Sequence, residues 1–122
     1  MTHLEKAKEL RARTDVHFNC CQSVLVTFAE EMGLTEEQAF VLGTNFNAGM
    51  RCGSACGALT GALMVLGMTH YTPEQADAFR RKFQEDHGDI NCAALLNAAK
   101  DKGMVRKEHC DGLVFEVVQM LE

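Results

Sequence analysis

Asn47 to Gly67 reads NAGMRCGSACGALTGALMVLG, and this stretch decides how the rest of the chain is expected to fold. It carries two of the six cysteines and five of the ten glycines, the latter at positions 49, 53, 57, 61 and 67. On a helix, an interval of four places Gly53, Gly57 and Gly61 along one face, a groove without side chains into which a second helix backbone can settle. Glycine inside a helix costs roughly 1 kcal/mol relative to alanine, so three at this spacing point to close approach of another backbone. The adjoining face carries Cys52, Cys56 and Thr60. Two thiols beside such a surface mark a site. A larger side chain at Gly57 is accordingly expected to do more harm than one at Gly49, which lies off the contact face.

The flanking sequence is helical in character. It has a single proline, abundant Ala, Leu, Met, Glu and Lys, and few alternating β-branched runs. Thr2-His3-Leu4-Glu5, Thr35-Glu36-Glu37-Gln38 and Thr72-Pro73-Glu74-Gln75 are capping boxes, each placing Thr three residues before Glu or Gln. Gly33, Gly67, Gly88 and Gly103 read as stops. Helices are therefore expected near 2–13, 17–32, 36–45, 54–67, 73–87, 90–101 and 106–121. Cys21, Val24, Leu25, Phe28 and Met32 form one apolar stripe, and Cys110, Leu113, Val114, Val117 and Leu121 another. The expected fold is all-α: residues 1–122 form a single compact domain of six or seven short helices around the glycine-rich one.

Composition excludes several classes of function. With 47% apolar and 24% charged residues and a net charge of −5, the 122-residue chain can bury a core without cross-links and has no basic surface for nucleic acid. The apolar run from Gly53 to Met68, broken by Ser54, Thr60 and four glycines, is too short for a membrane span. The first 14 residues, MTHLEKAKELRART, hold no apolar signal segment, so a cytoplasmic protein is expected. Glycine-rich helices favour self-association, and a homodimer packed through the 53–61 face is a further expectation.

Six cysteines, at 20, 21, 52, 56, 92 and 110, are many for a protein in a reducing compartment. No C-x-x-C occurs, so a thioredoxin-type dithiol, a zinc ribbon and a ferredoxin-type cluster run all lack their spacing. There is no haem-attachment motif, no Walker loop and no dinucleotide fingerprint.

Asn19-Cys20 opening a helix, Cys56-Gly57-Ala58-Leu59-Thr60-Gly61, Cys92 opening a late helix, and Lys107-Glu108-His109-Cys110 together resemble the redox-protein family named C_GCAxxG_C_C, over roughly residues 18 to 121. Carried over by position, the family's four cysteines fall on Cys20, Cys56, Cys92 and Cys110. Cys21 and Cys52 lie outside the pattern and are accessory thiols or core residues. The resemblance implies redox activity without a settled substrate.

The residues add physical reasons. A helix beginning at Ser54 puts Cys56 in its first turn, where free amides lower a thiol pKa; one beginning near Met50 puts Cys52 and Cys56 on a shared face instead. Arg51 would act on Cys52 in the same direction. Cys20 after Asn19 and Cys92 after Asn91 also open helices. His109 beside Cys110 and His17 near Cys20 read more simply as solvated side chains. Three functions follow: thiol redox chemistry at Cys20, Cys56, Cys92 and Cys110 with a partner protein or a small thiol or disulfide; an iron–sulfur cluster or zinc held by the same four; or a helical interaction protein with structural cysteines. The first needs no cofactor. All rest on helix packing gathering these sulfurs into one pocket.

Overall fold

A computed structural model describes all of residues 1–122. The chain is all-α, with eight α-helices: α1 (His3–Ala12), α2 (Cys20–Thr27), α3 (Ala29–Met32), α4 (Glu36–Leu42), α5 (Gly57–Met68), α6 (Pro73–His87), α7 (Cys92–Asp101) and α8 (Arg106–Leu121). No helix is long and apolar enough to cross a membrane. Thr2, Thr35 and Thr72 each form the reciprocal capping box read from the sequence, and Asn19 forms a fourth with Gln22.

The centre is the pair α2 and α5. Seven of the eight residues of α2 are buried, and α1, α4, α5 and α8 all pack against it. Its buried polar groups are satisfied locally: Ser23 Oγ donates to the Asn19 carbonyl (2.8 Å) and Thr27 Oγ1 to the Ser23 carbonyl (2.7 Å). The Asn19 amide donates to the Gly43 carbonyl (3.1 Å) and the Gln22 amide to that of Phe40 (3.0 Å), so the first turn of α2 is pinned from outside as well. One contiguous core of 22 buried residues surrounds the pair and includes Cys21, Val24, Leu25, Phe28, Met32, Leu113, Val114 and Val117 from the two expected stripes.

Several boundaries differ from the sequence reading, for identifiable reasons. The expected 17–32 helix starts at Cys20 and breaks at Phe28 (φ −106°), one residue after Thr27 turns its hydroxyl back on the helix, a bond that bends helices. The 36–45 helix ends at Leu42 and tightens into a 3₁₀ turn over Thr44–Phe46. Gly67 does not stop α5, which runs to Met68; His70 (φ 69°) makes the left-handed turn instead. The largest difference is at the start of α5. That helix begins at Gly57, and the residues before it form a tight loop in which Ala48, Gly49, Met50, Arg51 and Gly53 all have positive φ.

Gly53 therefore lies off the helix, and the three-glycine face reduces to Gly57 and Gly61. Those two do admit another backbone, but it is α2 of the same chain: a Cβ on Gly57 would stand 2.9 Å from the Phe46 carbonyl and 3.2 Å from the Cys21 amide, and one on Gly61 3.2 Å from the Cys21 carbonyl. The face expected to pair two copies is thus occupied within the chain. Gly49 is tighter still. A Cβ there would meet the Ser54 carbonyl at 2.2 Å and the Cys92 side chain at 2.6 Å, at φ 62°, which overturns the expected ranking of Gly57 above Gly49.

Gly49→Ala should lower unfolding stability by roughly 2–4 kcal/mol, because backbone rather than a flexible side chain blocks the added carbon. Gly67→Ala, helical and with nothing within 4 Å of an added Cβ, should raise it by about 0.5–1 kcal/mol. Urea denaturation of the two variants against the parent chain measures both.

Candidate functional site

Four helices deliver one cysteine each to a common place. Cys20 is the first residue of α2, Cys56 precedes α5 as its N-cap, Cys92 opens α7, and Cys110 lies just over one turn into α8. All four line a single enclosed cavity of about 40 Å³, with Arg106 and His109 among its other walls. That volume has room for roughly one or two water molecules. Every cysteine in the chain is a free thiol.

Local backbone geometry explains the convergence. The Cys56 amide donates to the Ile90 carbonyl (2.8 Å) and the Cys92 amide to the Ser54 carbonyl (2.6 Å), a two-bond bridge that fastens the start of α5 to the start of α7. Gly57 brings the same end of α5 against the start of α2. From the other side, Arg11 of α1 donates to Asp111 of α8 (2.6 Å) and to the Phe18 carbonyl just before α2 (2.7 Å), and Lys107 closes on Asp111 (2.9 Å). Cys110, next to Asp111, is thereby set beside Cys20.

The thiols are not electrically equivalent. Cys20 is partly buried beside Cys110, and the pairing with Cys110 first and the cover over its sulfur second push its pKa well above the ordinary thiol range. Cys110 shows the converse. Donation from Cys20, then the nearby Arg11 and Arg106 guanidinium groups, lower it to about 6 against the opposing cost of burial. At Cys56 burial is the largest influence and raises the pKa, although the Leu59 and Ala58 amides pull the other way without closing a full cap bond. Cys92 is raised by burial and by Cys110.

Three of the cysteines thus stand at helix starts, as read from the sequence, but the expected thiolate stabilisation is outweighed, by desolvation at Cys56 and Cys92 and by the pairing with Cys110 and then burial at Cys20. The activated thiol is the fourth. Cys21 is fully buried, backs onto Gly61 and is pushed up to about 12, so it behaves as core. Cys52 is exposed in the loop, not on the α5 face with Cys56, and Arg51 turns toward Asn45. His109 is a further difference. Rather than solvated, its Nε2 is buried without a hydrogen-bond partner, and burial followed by His87 lowers its pKa, so the ring is neutral at pH 7. His17 lies in an open cleft outside Cys20.

Sequence reasoning passed over Arg11 and Arg106. Arg106 is four residues before Cys110, a helical spacing that could have flagged it; Arg11 is linked to the site only through the fold. The metal expectation was testable on the donor set. No group of three or more His, Cys, Asp or Glu side chains is arranged to hold a metal ion, and the cavity between the four sulfurs is about 40 Å³. As arranged, Cys20, Cys56, Cys92 and Cys110 do not fit zinc or an iron–sulfur cluster.

A small helical protein with four cysteines from four helices gathered around one cavity, three of them at helix starts, is the class that fold and site define. Residues 18–122 match the family model described as "Putative redox-active protein (C_GCAxxG_C_C)", and the chain belongs to that family. No curated protein and no solved structure matches it. The family label writes glycine before cysteine, whereas here Cys56 precedes Gly57; this order leaves the sulfur at the N-cap and the bare glycine against α2.

Alkylation by iodoacetamide should follow these differences. Between pH 5 and 8 the first thiol modified within the cleft should be Cys110, with a midpoint near 6, while Cys20 and Cys21 stay unmodified; peptide mapping by mass spectrometry reads the order. The raised Cys21 pKa stabilises the fold below its unfolded value of about 9, and that contribution should be lost as pH rises from 9 toward 12.

Proposed function

We propose that this protein carries out thiol–disulfide exchange, with Cys110 as the attacking thiolate and Cys20 as the thiol that resolves the mixed disulfide. The observation that carries this reading is the adjacency of Cys20 and Cys110 where the inner cavity meets an open cleft, with Arg106 on the wall of both. Thiolate, not thiol, is the nucleophile, and attack is fastest when its pKa lies near ambient pH. Cys110 meets that condition. Cys20, protonated and in contact, waits until Cys110 has bonded elsewhere.

Cys56 and Cys92 line the inner cavity and not the cleft. They form an inner dithiol that passes two electrons to an outer Cys20–Cys110 disulfide, becoming a disulfide as the outer pair returns to thiols. His109 is the one base in that cavity; neutral and unpartnered, it takes up the proton a thiol releases as it attacks. Accessory roles for Cys21 and Cys52 gain no support from a buried core position and a distant exposed loop.

The test is stoichiometric oxidation followed by disulfide mapping. With one equivalent of a small disulfide, wild-type protein should yield the intramolecular Cys20–Cys110 bond, whereas Cys20→Ser should accumulate a mixed disulfide on Cys110 and Cys110→Ser should react slowly, by about a hundredfold or more at pH 7. Thiols that remain unmodified until denaturant is added would refute the exchange reading. Iron or zinc in stoichiometric amount after anaerobic purification would replace it with the ligand reading.

A further inference from the structure

Cys20 and Cys110 form part of the wall of a second space, an open cleft of about 420 Å³ between α1, the loop before α2, the loop at Asn47–Ala48 and the start of α8. Its charged lining is of one sign. Arg11, Arg13, Arg106 and Lys107 face it, and no Asp or Glu does. The carboxylates that pair with these cations, Asp15 with Arg13 (2.7 Å) and Asp111 with Arg11 (2.6 Å) and Lys107 (2.9 Å), stand outside the lining, and Arg106 has no carboxylate partner. The α8 first turn carries no side-chain cap, which leaves amides free on the same side. On a chain of net charge −5, a cationic cleft opening on two thiols is a local reversal of sign.

We propose that this cleft binds a small disulfide or thiol bearing carboxylates and presents its sulfur to Cys110. The inference rests on the exchange reading above and adds the ligand class to it. The volume falls in the range of small-molecule sites, about 300–1,000 Å³, and is too small for a folded partner to enter. Arg106 supplies the unpaired cation nearest the reacting sulfur, and Arg13 and Lys107 stand on the cleft walls for carboxylates farther out. Concentrating an anionic ligand there raises its encounter rate against neutral or cationic analogues.

The chemistry balances without another reactant. Cys110 thiolate attacks one sulfur of the bound disulfide, whose S–S bond breaks; one half leaves as thiolate and takes a proton from solvent. Cys20 then loses its proton and attacks the Cys110 sulfur, releasing the other half. Two electrons pass from the protein to the ligand, giving one protein disulfide and two small thiols. The reverse sequence reduces the protein.

Reduced full-length protein is mixed at pH 7 with oxidised glutathione (anionic), bis(2-hydroxyethyl) disulfide (neutral) or cystamine (cationic), each rate being divided by that of 2-mercaptoethanol with the same disulfide. The normalised rate for oxidised glutathione should exceed the neutral one by about tenfold and fall toward it as salt rises from about 0.05 to 0.5 M. Arg13→Glu with Lys107→Glu should abolish the preference, read as the ratio of the anionic to the neutral normalised rate within the variant itself. Equal normalised rates, or a preference that survives charge reversal, would overturn the cleft assignment and leave exchange standing. Reaction with none of the three would remove exchange itself. The cleft is then judged by S-methylglutathione, which cannot be reduced: saturable binding lost on charge reversal supports it, and absence of binding overturns it.

Discussion

Contact between the start of α5 and the start of α2, possible because residue 57 lacks a side chain, is the constraint on which the site depends. With the Phe46 carbonyl 2.9 Å and the Cys21 amide 3.2 Å from where a Cβ would stand, any side chain at 57 pushes the two helix ends apart. Cys56 is one residue before Gly57 and Cys20 one residue before Cys21, so the separation would be transmitted straight to the sulfurs. The positive-φ loop from Ala48 to Gly53 serves the same end, since it reverses the chain sharply enough for Ser54 to bond Cys92. Non-glycine residues in that region are costly and persist only when surrounding bonds hold them, a pattern concentrated at functional sites.

Within this packing, two electrostatic effects compete at every sulfur. Helix starts favour thiolate by a few tenths to about 1 kcal/mol at accessible positions, while removing a charge from water costs more. At Cys56 desolvation dominates, and at Cys20 the pairing with Cys110 comes first and desolvation second. Cys110 differs because the Cys20 thiol beside it favours its charged form first, and the Arg11 and Arg106 guanidinium groups then add to that against the cost of burial. Arg11 is held by Asp111 and the Phe18 carbonyl with its side chain 8% exposed, so it does not drift into solvent. The neighbouring Cys20 thiol first, and then cationic side chains on α1 and α8, lower this pKa, rather than the start of the helix on which the thiol sits.

Local signals were legible and contacts across the fold were not. The three Thr capping boxes, the Asn19 cap and the core stripes depend on residues within one or two turns, and they were readable from spacing alone. The α5 start was misplaced because a repeat of glycines at four looks helical whether or not the backbone follows it. Gly53 at φ 75° belongs to the loop, and no periodicity distinguishes it from Gly57. That four cysteines would matter was visible in their number and in the motif around Cys56. Which one has the lowered pKa depends first on Cys20 and then on Arg11, both brought in by the fold, and only Arg106, one turn before Cys110, could be read from the sequence. His109 was misjudged for the same reason: adjacency to Cys110 says nothing of whether its far nitrogen is covered.

In the exchange reading proposed above, the fold also biases the direction of electron flow. A disulfide between Cys20 and Cys110 would close a loop of about 90 residues, which in the chain-entropy account stabilises the folded protein by roughly 4–5 kcal/mol relative to the unfolded chain. By linkage, folding favours that disulfide to the same extent and makes the dithiol a better reductant. Stabilising the Cys110 thiolate acts in the opposite sense, because it favours the reduced form. At pH 7 that effect spans only the unit between a pKa of about 6 and ambient pH, worth no more than about 1.4 kcal/mol, and less once solvent screening at a partly exposed group is allowed for. Preorganisation therefore outweighs thiolate stabilisation. In that exchange reading, a pair built this way would give electrons up readily to a disulfide and would need a strong reductant to recover them.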